Sequence, residues 1–220
     1  MNILAIECTH AALSVAVKKD GAVTELNSAD WRKAAEALVP LIEDLMRQSG
    51  LEKQELDYIA ISSGPGSFTS LRIGMSVAKG MAYGLGIPLV PVPTMPAMAA
   101  SFLTGDSTVM AVIQARKGEY YFAAYLSEEL SSGVWHDEVM KGSASEVAAA
   151  AQGCTVVGRQ LEELVPLLAG CGASYTKADF FSAGSLFPLA ERLFGAADAV
   201  SLDQVVPDYR QMFIPHVGKE

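Results

Sequence analysis

The residues with types and spacing suited to chemistry gather near the start of the 220-residue chain and in one glycine-rich segment. That segment is Gly64-Pro65-Gly66-Ser67-Phe68-Thr69, placed just before an apolar run. Glycines ahead of a helix N-terminus let backbone N–H groups point at an anion. The same residues also suit a tight strand-to-helix turn with Ser67 or Thr69 as the cap. The segment lacks the lysine of a P-loop and is not GxGxxG, so spacing alone favours the turn. Glu7-Cys8-Thr9-His10 offers a carboxylate and a hydroxyl at the end of an apolar run, the equipment of a phosphate- or metal-binding turn. It has no glycine and no evident second aspartate, so a polar strand end is the simpler account. Cys8 and His10 lie two apart, on one side of a strand. A thiol nucleophile also needs an orienting group and an oxyanion hole, and the sequence identifies neither. Cys8 therefore reads as a small core residue. His10, His136 and His216 are far apart and form no HxxxH or HExxH, so no metal site is expected.

The elements that must position these residues follow from periodicity. Asn2 to Glu7 reads as a buried strand, Leu13 to Lys18 as a second, and Ala22 to Leu26 as a third. Asp20-Gly21 marks a tight hairpin between the last two. Leu38, Leu41, Ile42 and Leu45 recur at helical spacing, ended by Gly50. Pro40 inside that pattern implies a kink or a later helix start. Asp57 to Ser62 reads as a strand, followed by the glycine loop and a helix to about Leu85, then a strand at Leu89 to Val92. Thr94 is expected to cap a helix through Met98 to Phe102. The order β-β-β-α-β-α-β-α is that of a ribonuclease-H-like domain, the building block of the actin-like ATPase fold, and carries no function by itself.

In the second half, Val109 to Ile113, Tyr120 to Leu126 and Val134 to Val139 read as strands, with Gly118 in the first turn. Ala144 to Ala151 reads as a helix, Thr155 to Gly158 as a short strand and Leu186 to Phe194 as a helix. The expectation is an α/β chain of two related subdomains, residues 1–104 and 105–220, the second a smaller, degenerate copy.

The helix after the loop carries one apolar stripe, Leu71, Met75, Ala78, Ala82 and Leu85, and an adjacent one, Gly74, Val77 and Met81. Arg72, Ser76, Lys79 and Tyr83 are its narrow polar line. Such a helix is covered on more than one side, by its own domain or by a partner. Gly74, Ala78 and Ala82, four apart, would let another helix approach closely.

Composition bounds the function. Half the residues are hydrophobic and the net charge is −9. An acidic chain without a Lys/Arg run gains little from phosphate neutralisation, so direct nucleic-acid binding is not expected. Cys8, Cys154 and Cys171 form no CxxC pair and suggest reduced thiols in the cytosol. The start has no basic n-region or long apolar run, so neither a signal peptide nor a membrane span is expected.

Several of these segments together resemble the bacterial TsaB family. SSGPGSFTSLRIG matches the family signature GPGSFTGLRIG except for Ser70 in place of Gly. NILAIECTHAALSVAV, VPTMPAMAA and ARKGEYY resemble its opening strand pair, following helix and second-domain hairpin, and Pro207-Asp208-Tyr209-Arg210 loosely resembles its C-terminal motif. The resemblance implies an actin-like fold and a cytoplasmic, non-catalytic paralogue of TsaD. With TsaD and the small ATPase TsaE, such a protein serves the formation of threonylcarbamoyladenosine beside the tRNA anticodon. It implies a heterodimer with TsaD through N-terminal helices, or a homodimer, with contact to tRNA only indirect. No cofactor is expected in this chain, whereas ATP, magnesium and metal belong to TsaD. The interface residues implied are Leu38, Leu41, Ile42, Leu45, Leu71, Arg72, Gly74, Met75, Ala78 and Ala82. The loop Gly64 to Thr69 would border a nucleotide only at the partner interface. Ala34 stands where the family often has histidine, Gln114 where it has Asp, and Glu7-Cys8-Thr9 where it has Asp-Thr-Ser; each change removes a ligand or nucleophile. The alternatives are a peptidase, as reported in the wider family, or a weak ATPase.

Overall fold

The computed structural model describes residues 1–9, 12–28, 34–103, 105, 107–178, 181–196 and 201–210. The opening meander is β1 (Ile3–Glu7), β2 (Leu13–Lys19) and β3 (Ala22–Ser28). Asp20 and Gly21 both take positive φ, as the two-residue hairpin expected there requires. Helix α1 (Ala34–Ser49), β4 (Tyr58–Gly64), α2 (Phe68–Leu85), β5 (Leu89–Pro93) and α3 (Thr94–Ala100) follow. Pro40 neither starts nor ends α1; the helix continues through it, with Pro40 on the exposed side. The first sheet has the order β3-β2-β1-β4-β5, with β1 parallel to β4 and β4 parallel to β5.

The second half repeats this plan. Its strands are β6 (Thr108–Arg116), β7 (Glu119–Leu126), β8 (Met140–Ser143), β9 (Thr155–Arg159) and β10 (Ser174–Lys177). Helix α4 (Ser127–Ser132) lies between β7 and β8, and α5 (Ala144–Ala150) and α6 (Val165–Gly170) flank β9. A short 3₁₀ turn, Ala183–Leu186, leads into α7 (Phe187–Ala196). The second sheet runs β10-β9-β6-β7-β8, the first sheet's order read from the other edge, with the same parallel and antiparallel pairs. The degenerate copy expected from the sequence is a true topological repeat.

Two details differ from the sequence expectation. Residues 134–139 form no strand: Val134 is exposed, while His136 stacks on Tyr125 and donates its Nε2–H to the Ala124 carbonyl. Side chains rather than a ladder hold that segment. The strand is instead Met140–Ser143, stopped where Ser143 and Glu146 cap α5 reciprocally. Thr94 does not cap α3 but is its first residue, and its hydroxyl accepts the Gly64 N–H.

Alternation along the central strands divides the core into layers. Ile3, Ala5, Tyr58 and Ala60 face the second sheet, together with Val109, Ala111, Tyr121, Ala123 and Tyr125. Leu4, Ile6, Ile59 and Ile61 face α1 and α2. Met110, Val112, Tyr120 and Phe122 face the cluster completed by Val147, Leu161, Leu164 and Leu168. The middle layer holds α3 and α7, and each crosses to the other half. Helix α3 packs on β6 and β7, whereas α7 packs on β5, with Phe194 stacked on Tyr58 at 4.3 Å between centroids. Ala183 N–H donates to Ser14 Oγ, and Lys18 pairs with Glu191 at 2.5 Å. A division near residue 104 falls between α3 and β6, but the elements from Ala183 onward pack back on the first sheet.

Leu189 is fully buried in this shared layer. Leu189→Ala should therefore lower the unfolding free energy by about 2–5 kcal/mol, read from urea denaturation. A change below about 0.5 kcal/mol would show that α7 is peripheral.

Candidate docking face and closed cleft

In open α/β sheets ligands bind outside the carboxyl ends of the parallel strands. Here those ends are filled by the chain's own atoms. Glu7 ends β1 fully buried, and its carboxylate accepts both the backbone N–H and the hydroxyl of Thr9. Arg159, at the end of β9 across the cleft, donates to the Thr9 carbonyl at 3.1 Å and reaches Thr9 Oγ1. Its guanidinium is buried, which pushes its pKa down to about 10 against the opposing pull of the Glu7 carboxylate. It remains charged at neutral pH.

The glycine loop closes onto the same turn. Ser67 N–H donates to the Thr9 carbonyl at 2.8 Å, and a Cβ at Gly66 would run into Thr9. Gly64 has φ +111, and a side chain there would meet the Asp208 carbonyl. The Gly64 N–H is taken by Thr94, the Ser70 N–H by the Ser67 hydroxyl and the Leu71 N–H by the Ser67 carbonyl. Ser67, not Thr69, is the cap of α2. Ser70, the departure from the family signature, is buried with its hydroxyl 3.0 Å from that of Ser67. Residues 201–210 strap the mouth: Val205 is buried beside α1 and α2, Asp208 N–H donates to the Ser63 carbonyl, and Arg210 reaches the Asp137 carbonyl. Tyr209 meets Phe68 at 4.8 Å, and Arg72 lies over the Phe68 ring. Of the loop N–H groups, those of Gly64, Ser67, Ser70 and Leu71 are thus spent on holding a turn.

Cys8 is fully buried with its Sγ against Gly74. Burial, then the Glu7 charge, raises its thiol pKa far above the usual range, so no thiolate forms at neutral pH. His10 lies outside the described residues. Among the described residues no group of three His, Cys, Asp or Glu is placed to hold a metal.

The docking residues expected from the stripe require correction. Leu38, Ile42, Leu45, Leu71, Gly74, Met75, Ala78 and Ala82 are buried in the first sheet's outer core. Leu41 is partly buried there, and only Arg72 is exposed. The reason is geometric: the sheet's apolar outer face needs two helices, and the small residues Gly74 and Ala78 seat α2 on β1 and β4. What α2 turns outward is Ser76, Gly80, Tyr83 and Gly84, with Ile73, Val77, Met81 and Leu85 half-buried beside them. A Cβ at Gly80 or Gly84 would meet nothing. Next to Gly84 lies an apolar groove between the helices, lined by Val39, Ile42, Met81 and Leu85 and edged by Glu43 and Lys53. Sequence reading overlooked this glycine pair because it shares the helix with a stronger apolar stripe. Arg159 was overlooked because a lone charge after the strand Thr155–Gly158 has no local partner.

Comparisons with known proteins define the class and then the family. The duplicated fold is that of a crystal structure described as an uncharacterized protein with similarity to peptidase YEAZ from Pseudomonas aeruginosa. It superposes with a TM-score of 0.79 at 26% identity, covering 96% of this chain and 99% of that one. A family model described as "TsaD: tRNA N6-adenosine threonylcarbamoyltransferase" matches residues 14–185. The chain belongs to that family. Curated relatives named "tRNA threonylcarbamoyladenosine biosynthesis protein TsaB" are 38% identical over 140 residues in Escherichia coli K12 and 35% over 134 in Haemophilus influenzae. The matches cover 63% and 60% of this chain and 60% and 57% of those relatives.

The Gly74–Cys8 contact predicts a compensating pair. Gly74→Ala should destabilise the chain by about 1–3 kcal/mol through overpacking. Adding Cys8→Ala, which removes the clashing sulfur, should recover most of that loss in a thermal-melt double-mutant cycle. Additive losses would refute the contact.

Proposed function

We propose that this chain is a non-catalytic, cytoplasmic partner subunit of the machinery that forms threonylcarbamoyladenosine beside the tRNA anticodon. It acts by docking the outward faces of α1 and α2 on a TsaD-type protein. That partner carries the ATP, magnesium and metal, and a TsaE-type ATPase completes the larger assembly. The observation that carries this proposal is the pair Gly80 and Gly84, exposed in a helix with no contact among the described residues to explain them. Each interior glycine costs about 1 kcal/mol relative to alanine. A second helix lying close against the backbone offsets that cost, and the neighbouring groove gives it apolar surface. The net charge of −9 suits a subunit that reaches tRNA only through its partner. The inert Cys8 speaks against the peptidase alternative, and the filled cleft against a stand-alone ATPase. Among the described residues no helix is long and apolar enough to cross a membrane. A homodimer through the same face would compete with the heterodimer.

The test uses Gly80→Arg and Gly84→Arg, both at open positions and so expected to leave the melting curve within a few degrees of the parent. Both should abolish co-elution with the TsaD-type partner and, with it, tRNA modification in a reconstituted reaction. Folded variants that still co-elute and support modification would sink the proposal. Gly80→Ala alone should raise monomer stability by about 0.5–1 kcal/mol.

A further inference from the structure

The contact between Arg159 and Thr9 joins residues 150 positions apart and lies where the ends of β1 and β9 meet. It sits apart from the outer face of α1 and α2. We propose that Arg159 is a built-in latch that closes the strand-end mouth of the cleft and holds the Thr9 turn and the glycine loop in one arrangement.

Three features carry this. Arg159 is only 6% exposed, so its guanidinium has lost its water and depends on the partners the fold supplies. Among the described residues its partners belong to the other half: the Thr9 carbonyl, the Thr9 hydroxyl and the Glu7 charge. The Thr9 carbonyl is shared, because it also accepts the Ser67 N–H that seats the start of α2. One oxygen thereby connects the end of β9 to the loop feeding α2. The shared apolar layer beneath the mouth holds the halves together through hydrophobic residues. The polar contacts at the mouth add a second connection, with the Asp208–Ser63 bond at its edge. Removing the guanidinium alone would take from the buried Glu7 carboxylate the favourable charge that Arg159 brings to it, a destabilising change. A latch and a merely stabilising charge contact are therefore separated by neutralising both groups.

The test is hydrogen–deuterium exchange on the full chain with Arg159→Met and with the double variant Glu7→Gln/Arg159→Met. Arg159→Met should lower the melting temperature, and the double variant should recover most of that loss. In the double variant, peptides covering Ile6 to Leu13 and Ser63 to Leu71 should still exchange at least about tenfold faster than in the parent. Peptides in β7 and α5 should be unchanged. Arg159→Lys should restore part of the protection, because an ammonium can still reach the Thr9 carbonyl. If Arg159→Met fails to fold, the double variant alone decides. Parent-like exchange in both mouth peptides of the folded double variant would overturn the latch, as would equal acceleration throughout the chain.

Discussion

The rest of the structure depends on the exchange of third helices between two repeats. Each five-stranded sheet is apolar on both faces, and each has helices for its outer face: α1 and α2 on the first, α5 and α6 on the second. The inner faces share one layer that also holds α3 and α7. Helix α3, nearly all buried, packs on β6 and β7 as well as on its own sheet, and α7 returns to pack on β5. Neither half can bury its inner face alone, so the repeats form one shared core although their strands divide cleanly in sequence.

That exchange determines what the carboxyl ends of the strands can do. It brings the ends of β1 and β9 face to face, and the space in which related folds hold ligands receives Arg159, the Thr9 turn and the glycine loop. The loop's glycines serve close approach rather than an anion: Gly66 lies against Thr9, and Gly64 lies beneath the strap at Asp208. A buried cation facing a buried carboxylate needs hydrogen bonds to be tolerated, and the Thr9 carbonyl and hydroxyl accept from the Arg159 guanidinium.

With the cleft filled, the partner surface proposed for this chain is the outer side of α1 and α2. The apolar stripe that drew attention in the sequence is spent inside, on Leu4, Ile6, Ile59 and Ile61. The outward face is instead marked by small residues, Ser76, Gly80 and Gly84, and by the groove at Val39, Met81 and Leu85. A helix with two apolar stripes and one narrow polar line uses the stronger stripe for its own sheet and leaves Val77 and Met81 of the weaker one half-buried.

The sequence by itself determined the strand and helix order of the first half, the Asp20-Gly21 hairpin, the loop-to-helix turn and the family resemblance. These are legible because they rest on local periodicity, turn chemistry and a contiguous signature. It also implied the second copy through its strand order. Only the tertiary structure decided which face of α2 is inside, that residues 134–139 pack through side chains instead of pairing, and that α7 serves the first sheet. It alone brought Arg159 to Thr9. The physical reason is the same throughout: periodicity states that a face must be buried, but the burying surface comes from residues distant in the chain, and no local signal names them.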